Sequence, residues 1–240
     1  MSAGQIALVV VILTASAVLS AVAGFGFGLM SVPLMAMTVT VRQAVVLSTM
    51  MGFGVTCVQA WQWRRFAVRP IVARVSVPAY LGMPLGLWLF VHVDARWLKL
   101  ALGVAILVAV GLLLVRIDLR RSGPRLDVTA GFLSGVLNTS LSTNGPPLVF
   151  LLQARRLEPD PFRGTLSVIF VISSVAGLTL FAARGYVTGS ALVTVAATLP
   201  AVLAGLYAGG RIRPRVDAAR FRILVLVLLG AAGIMSIATA

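Results

Sequence analysis

Two clusters of glycine, hydroxyl and amide residues interrupt long apolar runs, and each carries groups suited to holding an anion. The first reads Gly24-Phe25-Gly26-Phe27-Gly28-Leu29-Met30-Ser31-Val32-Pro33, and the second Asn138-Thr139-Ser140-Leu141-Ser142-Thr143-Asn144-Gly145-Pro146-Pro147. A helix that restarts after a break presents unpaired N–H groups and the positive end of its dipole. Glycine lets backbone and ligand approach closely there, an arrangement that favours oxyanions. The candidate contacts are Gly24, Gly26, Gly28 and Ser31 in the first break, and Asn138, Thr139, Ser140, Ser142, Thr143 and Asn144 in the second. The glycines also have a packing reading, since small residues let membrane helices touch. That alternative is weaker for the Ser/Thr/Asn cluster, because so many donors are costly without a wet or liganded cavity. Arg42 and Arg163 each open the apolar run that follows a break. They either draw an anion inward or snorkel toward headgroups.

Several chemistries lack their residues. Asp94, Asp118, Asp127, Glu158, Asp160 and Asp217 all fall in loops or at span ends, so no carboxylate proton relay is visible within a span. His92, the single histidine, sits at a span end and reads as an interfacial residue. Cys57 is the one cysteine, which excludes an internal disulfide and argues against a metal site. There is no HExxH motif, no Walker loop and no Ser/His/Asp set, so neither an enzyme nor a cofactor is expected. The net charge of +14 does not point to nucleic acid, because the basic residues sit in short loops between apolar runs.

The elements that must position the two breaks are membrane helices. Of 240 residues 60% are hydrophobic and 11% charged. Apolar stretches approach the roughly 20 residues that a bilayer core demands. Spans are expected over residues 5–23, 42–61, 71–91, 98–115, 163–183, 190–209 and 221–239, with a broken segment over 127–152. The start has the small residues Ala21-Val22-Ala23 of a signal sequence but no basic leading region, and it reads as part of the mature protein.

The halves match in order. Val32-Pro33-Leu34 answers Pro146-Pro147-Leu148, Arg42 answers Arg163, and Pro78-Ala79-Tyr80-Leu81 answers Pro200-Ala201-Val202-Leu203. Gly82 and Gly86 answer Gly205 and Gly209, and Asp94-Ala95-Arg96 answers Asp217-Ala218-Ala219. The expected organisation is an N-terminal repeat over 1–121, a linker over 122–126 and a C-terminal repeat over 127–240, within one membrane domain. Charge decides the topology. Eight simple crossings would divide the basic residues nine to eleven. If 127–152 instead returns to its starting face, sixteen of the 20 lie on one side and only Arg42, Arg96, Lys99 and Arg184 on the other. Short loops follow the positive-inside rule, so the second arrangement is preferred. The expected fold is therefore an all-α polytopic membrane protein. It has two inverted repeats, each a re-entrant, broken helical hairpin plus three transmembrane helices, with 5–38 as the first hairpin.

With its glycine-rich break running into Val32-Pro33-Leu34, its second break ending Gly145-Pro146-Pro147-Leu148, and an arginine opening the span after each, the chain resembles the TauE/SafE family of membrane permeases, also described as sulfite exporters. The resemblance covers essentially the whole chain. It implies a multi-pass protein of the bacterial inner membrane that moves sulfur-containing anions such as sulfite, sulfonates or sulfoacetate. Members usually carry a fuller Gly-x-Gly-Gly-Gly run in each break, where this chain has Gly24-Phe25-Gly26-Phe27-Gly28 and an Asn/Ser/Thr-rich second break. The expected function is secondary transport of a small anion by alternating access between the repeats. A passive channel, a carrier for a neutral metabolite and a non-transporting scaffold subunit remain as alternatives. The expected partners are the small anion and the lipid bilayer, with homo-oligomerisation left open.

Overall fold

In the computed structural model, residues 3–114, 123–215 and 218–240 are described. The linker start at Ser122, together with Arg116, Asp118, Arg120, Arg121 and Asp217, lies outside the described residues. The first half runs α1 (Ala3–Ala23), α2 (Phe27–Met35), α3 (Val41–Trp63), α4 (Arg69–His92) and α5 (Ala95–Leu114). The second runs α6 (Pro124–Leu141), α7 (Gly145–Ala154), α8 (Pro159–Ala183), α9 (Gly189–Ile212) and α10 (Ala218–Ala238). The protein is all-helical over the described residues, and α1, α3, α4, α5, α8 and α9 are each long and apolar enough to cross a membrane.

Local chemistry sets these boundaries. Thr40 and Gln43 form a reciprocal capping box at the start of α3, satisfying two N–H groups that the first turn leaves free. Proline stands in the first turn of α4, α6, α7 and α8, where its missing N–H costs nothing. Large apolar side chains such as Val11, Leu81, Val193 and Tyr207 face outward, while Ser31, Thr139, Thr165 and Thr198 are buried. That distribution suits a lipid exterior, where the alternative to internal pairing is an unsatisfied polar group in hydrocarbon.

Both broken segments double back. The Gln5 side-chain amide near the start of α1 donates to the Thr38 carbonyl just beyond α2, at 3.3 Å. At the same place in the second half, Arg155 at the end of α7 pairs with Asp127 in the first turn of α6, at 2.7 Å. Each short helix thus carries the chain from the break back beside the start of the preceding long helix.

The long helices then exchange partners between halves. α6 packs on α4, and α1 packs on α9. Glycine governs both contacts. A Cβ on Gly131 or Gly135 would overlap the Val75 or Ala79 carbonyl, and one on Gly82 or Gly86 would overlap the Phe132 or Val136 carbonyl. Gly205 and Gly209 approach the Thr14 and Val18 carbonyls of α1 in the same manner, at 2.8 and 2.6 Å from the ideal Cβ positions. Small residues at four-residue spacing are the usual means by which membrane helices bring their backbones together. α3 pairs with α8, and α5 with α10.

Candidate functional site

The backbone at each break is left-handed. Gly24 and Gly26 have φ of 84° and 93° between α1 and α2, and Ser142 has φ of 54° between α6 and α7. An L side chain in that region costs roughly 1–2 kcal/mol, which explains glycine at the first two positions. Ser142 instead caps α6, its N–H bonding to the Asn138 carbonyl at 3.0 Å while Thr143 N–H reaches the Leu137 carbonyl at 3.2 Å. In α2 the first helical bond runs from Met30 N–H to the Gly26 carbonyl, so Phe27, Gly28 and Leu29 keep N–H groups without helical partners. In α7 the second and third residues are Pro146 and Pro147, which leaves Gly145 as the N–H of that first turn. The first break therefore supplies backbone donors, and the second supplies side chains.

The two breaks meet around one partly enclosed cavity of about 40 Å³. A buried water requires roughly 10–15 Å³, so the space suits a solute the size of a few waters. A Cβ on Gly28 would overlap the Ser142 carbonyl oxygen, so this glycine sets how closely the breaks approach. Hydroxyls link them further. Ser31 Oγ and Ser48 Oγ share a hydrogen bond at 2.8 Å, Ser142 Oγ donates to Ser48 Oγ at 3.4 Å, and Thr49 Oγ1 donates to Ser142 Oγ at 3.0 Å. Among the described residues two buried polar atoms of the lining find no hydrogen-bond partner, Thr143 Oγ1 and Gln59 Oε1. Gln59 is held by its amide, which donates to the Ser20 carbonyl at 3.2 Å and to Ser20 Oγ at 3.1 Å. Its free oxygen is thus an acceptor, while the Thr143 hydroxyl can donate. Among the described residues no charged side chain lines this cavity.

Of the residues singled out from sequence, Gly26, Gly28, Asn138, Ser142, Thr143 and Asn144 line the cavity. Asn138 is anchored by its amide on the Ser173 carbonyl at 3.1 Å, and the Asn144 carbonyl accepts from Ser134 at 3.0 Å. Ser31 stands one hydroxyl back, behind Ser48. Thr139 donates to the Met83 carbonyl at 2.7 Å, joining α6 to α4, and Ser140 bonds to Val136 within its own helix at 2.7 Å. Gly24 lies outside the cavity, where a Cβ would come 2.9 Å from the Arg163 Cγ.

The two arginines differ. Arg42 spends its guanidinium on the end of α4, donating to the Phe90, Val91 and Val93 carbonyls at 3.2, 3.1 and 3.1 Å. It borders a separate pocket of about 580 Å³ at the other end of α3. Arg163 pairs with Asp160 at 3.5 Å and lies over the Trp63 ring, 5.6 Å from its centroid.

The cavity also takes in residues that sequence reasoning passed over: Ser20, Ser48, Thr49, Thr56, Gln59 and Ser174. A signal existed. Ser48, Gly52, Thr56 and Gln59 recur at helical spacing along α3, and Ser167, Phe170 and Ser174 do so along α8. The buried carboxylate of Asp127 was missed as well, being placed at a span end without regard to its burial. Among the described residues no group of three His, Cys, Asp or Glu side chains is placed to hold a metal ion.

The chain matches the family described as Sulfite exporter TauE/SafE over residues 8–236. It is also similar to the probable inner membrane transporter protein TsaS of Comamonas testosteroni, 31% identical over 177 residues that cover 72% of this chain and 71% of the relative. No solved structure matches it. With a helical membrane fold and two breaks closing on one cavity, this chain belongs to the sulfite exporter TauE/SafE family of membrane transporters.

Proposed function

We propose that the protein is a secondary transporter of a small anion, of the compact sulfur-containing class to which sulfite belongs, with the central cavity as its binding site. The observation that carries this reading is the convergence of both breaks on one partly enclosed space. It is lined by the start of α2, whose first N–H groups have no helical partner, and by Thr143 Oγ1 and Gln59 Oε1, which find no partner among the described residues. Three N–H groups at the start of α2 and the hydroxyl of Thr143 donate to an oxyanion, aided by the helix dipole. Gln59 Oε1 accepts from a proton that the anion carries. The small volume favours compact oxyanions over extended sulfonates.

In this reading the halves are inverted repeats and access alternates by rocking. The close glycine contacts support moving α1 with α9 and α4 with α6. The rocking bodies therefore mix the two halves of the chain, with α3 and α8 between them.

Proteoliposome uptake of sulfite, sulfoacetate, taurine and acetate tests the proposal. Sulfite flux that moves charge and exceeds flux of the larger sulfonates is the expected result. Because no charged side chain among the described residues lines the cavity, a neutral hydrogen-bonding solute is the second reading. Electroneutral uptake of taurine without sulfite flux would select it.

A further inference from the structure

We propose that a second anion site stands outside the central cavity, in a chamber of about 360 Å³ where Arg163, Arg211 and Arg213 converge beside Trp63 and Tyr207. This inference rests on reading the central cavity as an anion site, and it names the place from which that site is filled.

The guanidiniums are brought together by aromatic faces instead of by acids. The Arg213 guanidinium carbon lies 4.6 Å from the Trp63 ring centroid and that of Arg163 lies 5.6 Å from the same centroid, while Arg211 lies 4.9 Å from the Tyr207 ring. Stacking on indole and phenol holds an arginine while leaving its N–H fork available. Among the described residues the one carboxylate paired with this trio is Asp160, half-exposed and 3.5 Å from Arg163. The buried Arg163 Nε has no acceptor among the described residues. Like charges gathered in a partly enclosed chamber repel, and an oxyanion accepting from two forks relieves both the repulsion and the unmet donor.

The chamber lies beside the central cavity. Gln59 lines both, and Gly24 of the first break packs against the Arg163 stem. α3 runs past both spaces, from Ser48 and Thr49 at the cavity to Gln62 and Trp63 at the chamber. The chamber holds about nine times the volume of the cavity, from 360 Å³ against 40 Å³, so it admits organic sulfonates and carboxylates as readily as sulfite. Selection by charge thus occurs at the arginines, and selection by size at the breaks. A positive mouth of this kind raises the local concentration of anions and the rate at which they enter.

Trp63 makes the site observable. Of the four tryptophans, Trp61, Trp88 and Trp97 are changed to Phe in the full-length protein in lipid nanodiscs, which leaves Trp63 as reporter. Iodide is expected to quench it more strongly than neutral acrylamide does. Millimolar sulfite or methanesulfonate should protect it, and neutral dimethyl sulfone should not. Arg211→Gln with Arg213→Gln should weaken protection about tenfold, the loss expected for removing charged hydrogen bonds, and Arg213→Lys should restore part of it. Thr143→Val, in the central cavity, should leave protection unchanged. Protection that survives Arg211→Gln/Arg213→Gln overturns the chamber site, whatever the flux. Protection that follows the arginines in a protein without anion flux supports the chamber and sinks the central reading instead.

Discussion

Gly28→Ala separates the ligand reading of the first break from simple helix packing. Gly28 lies in the first turn of α2, where alanine would ordinarily favour the helix by about 1 kcal/mol. Here the added Cβ overlaps the Ser142 carbonyl oxygen and comes 3.1 Å from the carbonyl carbon. An ordinary C···O contact is roughly 3.3–3.6 Å, so the two breaks must part by about 1 Å or more. Overpacking of this size costs about 1–3 kcal/mol, which outweighs the helical gain. The shift also moves the Phe27, Gly28 and Leu29 N–H groups away from Thr143. Hydrogen bonds to a charged group contribute about 1.5–3 kcal/mol each, so misplacing one weakens anion binding roughly tenfold to a hundredfold. The assay is sulfite flux and calorimetric affinity in proteoliposomes and nanodiscs, beside thermal unfolding. Gly4→Ala, where nothing lies within 4 Å of the new atom, serves as control. Wild-type affinity in Gly28→Ala would refute both the close apposition of the breaks and their role in binding.

Thr143→Val should act with opposite signs on stability and function. It removes a buried hydroxyl that has no protein partner, so unfolding should require about 1–2 kcal/mol more, while sulfite affinity drops. A loss of stability would show that the hydroxyl is satisfied by the protein. Asp127→Asn leaves Arg155 without its carboxylate in a largely buried place, and a loss of about 3 kcal/mol is expected in thermal or denaturant unfolding. An unchanged midpoint would mean that the second hairpin does not depend on this pair. In a Cys57→Ser background, single cysteines at Gly123 and Glu158 should react with an impermeant maleimide from the same side of the membrane. Labelling from opposite sides would remove the re-entrant reading of α6 and α7.

The breaks were legible because glycine, proline and asparagine have few uses inside an apolar run. Gly24, Gly26 and Ser142 do adopt left-handed backbone, and the helices start within a few residues of the spans read from hydropathy. The walls of the cavity were less legible. Ser48, Thr56 and Gln59 stand singly along one face of an unbroken helix, where a lone hydroxyl is as readily explained by packing. Only their shared face, visible once α3 is placed against both breaks, separates the two explanations. Arg42 shows the limit of reading by analogy. It matches Arg163 in order along the chain, yet it is consumed by the carbonyls that end α4. Which backbone groups need a partner depends on where a distant helix stops, and the residues around Arg42 do not encode that.

The exchange of partners between α1 and α9 has a consequence for biogenesis. α1 and its polar break emerge first, but the glycine surface that receives α1 belongs to α9, whose first residue is Gly189. At roughly 5–20 residues per second, the interval from Ala23 to Gly189 lasts roughly ten to thirty seconds. For the first part of that time, until Asn138–Asn144 is made, the hairpin tip also lacks the second break that its hydroxyls contact. The nascent N-terminal segment is therefore an incomplete client that must be sheltered by the insertion machinery or held at the interface. A ribosome stalled before α9 would release a chain whose first helix lacks the glycine surface that receives it, which is the kind of exposed face that membrane quality control can recognise.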